Sequence, residues 1–295
     1  MSQPSVIHPT ISLKNVVVAT DLSSNSAMAV SVAIGVAQRY ESTLILFNCI
    51  EPLLYNFAGP DAATQAAEAT NRDLEQYRND LSARGAFHGV PVKAIVRTGE
   101  ISQALEHLVE EEDVGVIVIG TRGRTALNKA MLGSTAERIF RNARCPVLTI
   151  GPDGGAQLRR SHPKSILLAT DLTPHSVLAQ AYAFSLAEKC NAELTVVHAL
   201  RHRDGETVGF ESRHETHLQR LKDLASHELE LSKPPQFLVD FGSPAEVILA
   251  TADRLKSEMI VLAVREPHRL GDRLHASVAY KVASGSNAAV LTVRS

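Results

Sequence analysis

Gly120-Thr121-Arg122-Gly123 is followed by nine residues and then by Gly133-Ser134-Thr135, a Gly-x-x-Gly-x9-Gly-Ser spacing. Glycines let a backbone approach a ligand and adopt positive φ, and the N–H groups of such a loop and of the helix start behind it attract an anion. Arg122, Arg124 and Lys129 add positive charge, so the chemistry expected is phosphate binding. Ser134-x-x-Glu137 also reads as a capping box, which would explain both residues without a ligand. The spacing is not Gly-x4-Gly-Lys-Ser/Thr, and no dinucleotide fingerprint follows the first apolar run. Asp21, after Val16-Val17-Val18-Ala19-Thr20, is the accompanying acid. Its carboxylate can accept from a ribose hydroxyl or an adenine amino group, or it can help cap the next helix.

No residue set offers nucleophilic or metal chemistry. A Gly-x-Ser-x-Gly elbow is missing, and Ser23, Ser24 and Ser26 read as helix-capping serines. Nine of the twelve histidines lie from His162 onward, yet His214-Glu215-Thr216-His217 is not His-Glu-x-x-His and no cysteine completes a zinc set. We expect no catalytic residue and no metal site, with these histidines on an exposed helix face.

The elements that must position the loop come from a repeat. Val17 to Leu22 returns as Leu167 to Leu172, an offset of 150, while Gly99, Ile117-Val118-Ile119 and Val147-Leu148-Thr149 return 143 residues on. Short runs of Val, Ile and Leu alternate with helically spaced stretches, the pattern of a parallel α/β sheet covered on both faces. Strands are expected near 15–20, 43–49, 92–96, 114–119 and 146–150, with helices near 25–39, 61–84, 101–111 and 134–141. The second copy follows the same order, its first helix starting behind Thr173 at Pro174. This predicts a domain over 11–152, a Gly- and Pro-marked linker over 153–163, and a second domain over 164–295, each a five-stranded parallel sheet. In such sheets ligands bind outside the carboxyl ends of the strands, where strand order reverses. The last-strand edges, 147–150 and 290–293, offer a route for pairing the copies.

The composition excludes several function classes. Thirty basic against 32 acidic residues leave a charge of −2, giving no overall attraction to nucleic acid or an anionic membrane. Aromatics are 4% with no Trp, too few for a base-stacking platform. Cys49, Cys145 and Cys190 read as reduced thiols of a cytoplasmic protein, with no signal peptide or membrane span. The apolar loop 52–60 reads as a packed connector or a lid, and Glu110 to Asp113 as a solvated helix end.

Two copies of Ala-Thr-Asp with a Gly-x-x-Gly-x9-Gly-Ser loop resemble a tandem universal stress protein of the UspA family, across nearly the whole chain. The resemblance implies a Rossmann-like fold of the adenine nucleotide alpha-hydrolase-like type, ATP or another adenine nucleotide held by the loop, and domains paired through their last strands. It implies that Ala19, Thr20 and Asp21 flank adenine and ribose, that Cys49 touches adenine, and that Gly120, Thr121, Arg122, Gly123, Gly133, Ser134 and Thr135 hold the phosphates. Mg2+ can bridge the phosphates on charge grounds, although no dedicated ligand is evident.

The second copy departs from the motif, with Ala263, Glu266 and Ala276 where the first has Gly120, Gly123 and Gly133; only Ser277 is kept, at Ser134. A Glu266 carboxylate would repel phosphate oxygens by about 1 to 4 kcal/mol at about 4 Å. His268, Arg269, Arg273 and His275 leave that loop basic. The expectation is ATP as a regulatory ligand in the first copy, with the second a non-binding pseudo-dimer partner in stress response. The rival readings are a slow ATP hydrolase and a nucleotide-independent scaffold. A homodimer and an unidentified protein partner complete the expected interactions.

Overall fold

A computed structural model of the chain describes residues 13–24, 26–51, 61–121, 131–151, 158, 162–201, 210–226, 231–264 and 277–294. The first copy runs β1 (Asn15–Ala19), α1 (Ala27–Tyr40), β2 (Thr43–Ile50), α2 (Ala62–Ala83), β3 (Val92–Thr98), α3 (Ile101–Glu111), β4 (Val114–Gly120), α4 (Ser134–Asn142) and β5 (Val147–Ile150). The second runs β6 (Ser165–Ala169), a 3-10 turn (Pro174–Ser176), α5 (Val177–Cys190), β7 (Glu193–Leu200), α6 (Phe210–Ser226), β8 (Gln236–Phe241), α7 (Pro244–Leu255), β9 (Met259–Val264), α8 (Val278–Gly285) and β10 (Ala289–Arg294). The change of offset falls between the second and third strands, where α2 has 22 residues and α6 has 17.

The two five-stranded halves pair through their last strands, as the resemblance implies, and the structure refines the expected pair of sheets to a single one. All strands form one ten-stranded sheet in the order β3-β2-β1-β4-β5-β10-β9-β6-β7-β8. Pairing is parallel within each copy and antiparallel only at the junction, where Val290, Leu291 and Thr292 face Thr149, Leu148 and Val147. The cause is edge satisfaction: either domain alone would expose the unpaired N–H and C=O groups of its last strand. The Thr173 expectation is corrected as well. Its hydroxyl donates to Asp171 Oδ1 (2.6 Å) rather than capping a helix, and α5 begins only at Val177, after the 3-10 turn.

Side chains alternate across the pleat, so each strand feeds two core layers. Val16, Val18, Leu44, Leu46, Leu148 and Leu291 join the layer under α1 and α5. Val17, Ile45, Phe47, Ile117 and Val147 join the layer under α3, α4, α7 and α8. Both layers run through the junction without a break between copies.

Leu148 is 3% exposed at that junction, whereas the buried Thr149 hydroxyl has no hydrogen-bond partner among the described residues. Leu148→Ala should cost about 2 to 5 kcal/mol through cavity formation. Thr149→Val should instead stabilise by about 1 kcal/mol, since it removes an unpaired hydroxyl. Urea unfolding of the whole chain checks both signs; destabilisation by Thr149→Val would contradict the assignment.

Candidate functional site

Strand order reverses between β1 and β4 in the first copy, so the residues beyond their carboxyl ends form a crevice. Ala19 lies opposite Ile119, which places Thr20 and Gly120 side by side one residue further on. The Thr121 N–H donates to the Ile150 carbonyl and the Gly133 N–H to the Thr121 carbonyl, both at 2.9 Å. These bonds close the neck of the loop and bring Gly120, Thr121, Gly133, Ser134 and Thr135 together. Arg122 and Gly123 lie outside the described residues, as do Arg124, Lys129, the 52–60 loop and the basic loop of the second copy.

Helix α4 opens behind that neck, with Gly133 at its N-cap and no side-chain hydrogen bond there. Ser134 is therefore the first helical residue and not the N-cap that the alternative, capping-box reading required. A glycine has no side chain to offer the leading N–H groups, which leaves the start of α4 suited to an external acceptor. The second copy differs at the matching place. Gly120 sits opposite Ile150 and Ala263 opposite Val293, the same register 143 residues on. There Ser277 is the N-cap of α8, and its hydroxyl oxygen accepts from the Tyr280 N–H at 3.1 Å.

The turn after β1 explains why Ala-Thr-Asp recurs. The Thr20 hydroxyl meets Ser26 Oγ at 2.9 Å and accepts from the Leu22 N–H, while Asp21 Oδ1 accepts from the N–H and hydroxyl of Ser23. Leu22 is held at φ 61°, left-handed for a residue with a Cβ. Thr170, Asp171, Leu172 and Thr173 repeat these bonds, with Leu172 at φ 59°. Ser23 and Ser26 thus build the turn rather than cap the helix with their hydroxyls: Ser26 is the N-cap of α1 but makes no side-chain cap bond, and its hydroxyl donates to the Ser23 carbonyl. Sequence reasoning also missed Asn48, whose amide donates to the Thr20 carbonyl at 2.7 Å. Its counterpart 150 residues on, His198, meets the Thr170 carbonyl through Nδ1 at 2.8 Å.

Ala19 and Cys49 pack against the core layer that also carries α4. Burial, then the nearby Glu51 and Glu100 carboxylates, push the Cys49 thiol up to about 11, so it stays an uncharged wall. Arg138, one turn into α4, pairs with Glu51 and lies 3.6 Å from Glu100, tying the helix to the ends of β2 and β3. The second copy also grips α4. Arg294 donates to the Phe140 and Arg141 carbonyls at 3.2 and 2.7 Å, and Tyr280 meets Phe140 edge-on at 6.2 Å. At the pseudo-equivalent position stands Gly151, where a Cβ would come within 3.1 Å of the Ser286 carbonyl. The grip is therefore one-sided.

Residues 12–151 and 163–294 each match the universal stress protein family. The chain belongs to that family. It is 28% identical over 188 residues to a universal stress protein from Mycolicibacterium smegmatis, an alignment spanning 62% of this chain and 63% of that protein. It is 30% identical over 140 residues to a universal stress protein of Thermus aquaticus, covering 46% of this chain and 98% of the relative. A crystal structure from Archaeoglobus fulgidus, also a universal stress protein, superposes with a TM-score of 0.73 at 17% identity, covering 95% of this chain and 98% of that one; this likeness concerns the fold. Among the described residues, no cluster of three or more His, Cys, Asp or Glu could hold a metal, and no helix is long and apolar enough to cross a membrane.

The histidines of this universal stress protein correct one expectation. His217 on α6 is not simply exposed: its ring stacks on His198 with centroids 5.1 Å apart and planes at 5°, and its Nδ1 meets the Arg213 carbonyl. Burial holds His198 below its ordinary value near 6.5; His217 and Arg220 act the same way, against the Thr170 carbonyl and Asp171. The unfolded chain then binds the proton first, so this contribution is intact above pH 6.5 and lost as pH falls below it. Melting temperature should drop more between pH 7.5 and 5.5 in the parent than in His198→Asn, which keeps the bond Asn48 makes in the first copy. Equal drops would contradict the assignment.

Proposed function

We propose that this universal stress protein binds ATP at the rim of its first domain as a regulatory ligand, with the second domain a non-binding partner. The domains in this reading are 11–152 and 164–295, joined by 153–163. Supporting it above all is the contrast between two helix starts: α4 has a glycine N-cap and no side-chain bond, while α8 is closed by its own Ser277 hydroxyl. An anionic group fits the first and would compete with a hydroxyl at the second. In this pose Gly120, Thr121, Arg122, Gly123, Gly133, Ser134 and Thr135 take the phosphates, Asp21 with Ala19 and Thr20 takes the ribose and adenine, and Cys49 walls the base. Mg2+ would sit on the phosphates.

The ligand acts as a switch. Occupancy changes the surface that residues 120–132 offer to a protein partner, in the manner of other nucleotide-dependent loops. Asp21 lies at the far end of the nucleotide from the phosphates, so no base is aimed at a water there and hydrolysis is slow at most.

Calorimetric titration of the whole chain with ATP should give a stoichiometry near one, abolished by Gly123→Glu, which copies the carboxylate of the second domain. Two sites, or one surviving Gly123→Glu, would refute the assignment. Phosphate release equal in parent and Gly123→Glu would mark a contaminant; release lost in the variant would mark a true, slow hydrolase.

A further inference from the structure

Helices α1 and α5 meet on the opposite face of the sheet from α4, over the β5–β10 junction, and line a cavity of about 540 Å³. Its walls include Val32, Val36, Leu148, Leu186, Met259 and Leu291, contributed by both copies. The volume lies within the range of small-molecule sites, which favour domain interfaces and apolar walls with a few polar anchors. A resident water would need two to four polar partners, and walls of this kind supply few.

The walls also carry Gln38, His162, Tyr182 and Cys190, and one polar group of the cavity is unsatisfied. The buried Tyr40 hydroxyl, on the cavity wall, has no hydrogen-bond partner among the described residues. Burial pushes it up to about 12, so it remains a donor at neutral pH, while the Arg39 guanidinium close by acts in the other direction. Arg39 itself bridges the copies, donating to the Lys189 carbonyl, and Lys189 Nζ stands 5.1 Å from the Tyr40 ring centroid. Glu41 and His162 line the same cavity, beside Arg39 and the neighbouring Lys189. A neutral donor beside a guanidinium, at the edge of an apolar chamber, matches a carboxylate head with an alkyl tail.

We propose that this cavity binds a medium-chain carboxylate, its alkyl chain between Val36, Leu148, Leu186 and Leu291 and its carboxylate at the Tyr40 hydroxyl and Arg39. Because both copies line it, the ligand reads the assembled pair and not either domain. The proposal is independent of the proposed nucleotide site, which lies beyond the carboxyl ends of β1 and β4, whereas Leu13, Pro146 and Met259 place this cavity at the amino ends of the strands.

Sodium decanoate, kept below its micelle-forming concentration, is titrated calorimetrically into the whole chain and into Tyr40→Phe and Val36→Phe. One saturable site per chain is expected, weakened about tenfold when Tyr40→Phe removes the hydroxyl's hydrogen bond to the carboxylate. Val36→Phe, which fills the chamber, should abolish it. Tyr40→Phe should melt no lower than the parent, since it removes an unpaired hydroxyl. Absence of saturable binding in the parent overturns the proposal, and so does a Tyr40→Phe affinity within twofold of the parent, whatever Val36→Phe does.

Discussion

The antiparallel contact between β5 and β10 is the constraint on which the rest of the molecule depends. A parallel five-stranded sheet ends in a strand whose outer polar groups have no partner, and two copies on one chain satisfy each other at no translational cost. Only three residue pairs form the ladder. They fuse the two core layers across both copies, and they bring α4 against α8 on one face and α1 against α5 on the other. The grip of Arg294 on α4 and the cavity lined by Tyr40 both follow from this pairing.

Duplication then allowed the halves to diverge while the fold stayed the same. The turns after β1 and β6 share the bonds around Thr20 and Asp21 and around Thr170 and Asp171, with left-handed leucines in both, so the Ala-Thr-Asp segments serve the backbone whether or not a ligand is bound. The difference sits at the helix start behind the fourth strand of each copy. Ser134 lies inside α4 and Ser277 lies at the cap of α8, a shift of one residue that closes the second helix with its own hydroxyl. Arg294 and Gly151 diverge likewise, so the hold of Arg294 on α4 has no counterpart at position 151.

Much of this was legible in the sequence because it is written in periodicity. Apolar runs of four to eight residues and two constant offsets place every strand within about two residues, and Gly120 and Gly133 do meet at the neck by Thr121. What was not legible needs three-dimensional adjacency. Asn48 and His198 act on a carbonyl of the neighbouring strand, which no local pattern reveals. The same holds for His217, whose partner lies on another element. The capping-box reading failed because spacing cannot decide whether a serine stands at the cap or one residue inside the helix. Pairing through the last-strand edges, by contrast, was expected, and it makes one continuous sheet of the two halves.

Amide hydrogen exchange at the two helix starts tests the asymmetry most directly. With saturating ATP, the Thr135 and Ala136 amides of α4 should slow while Tyr280 and the leading turn of α8 stay unchanged. Unaltered exchange at α4, or equal slowing at both helices, would contradict the account of one open and one closed site.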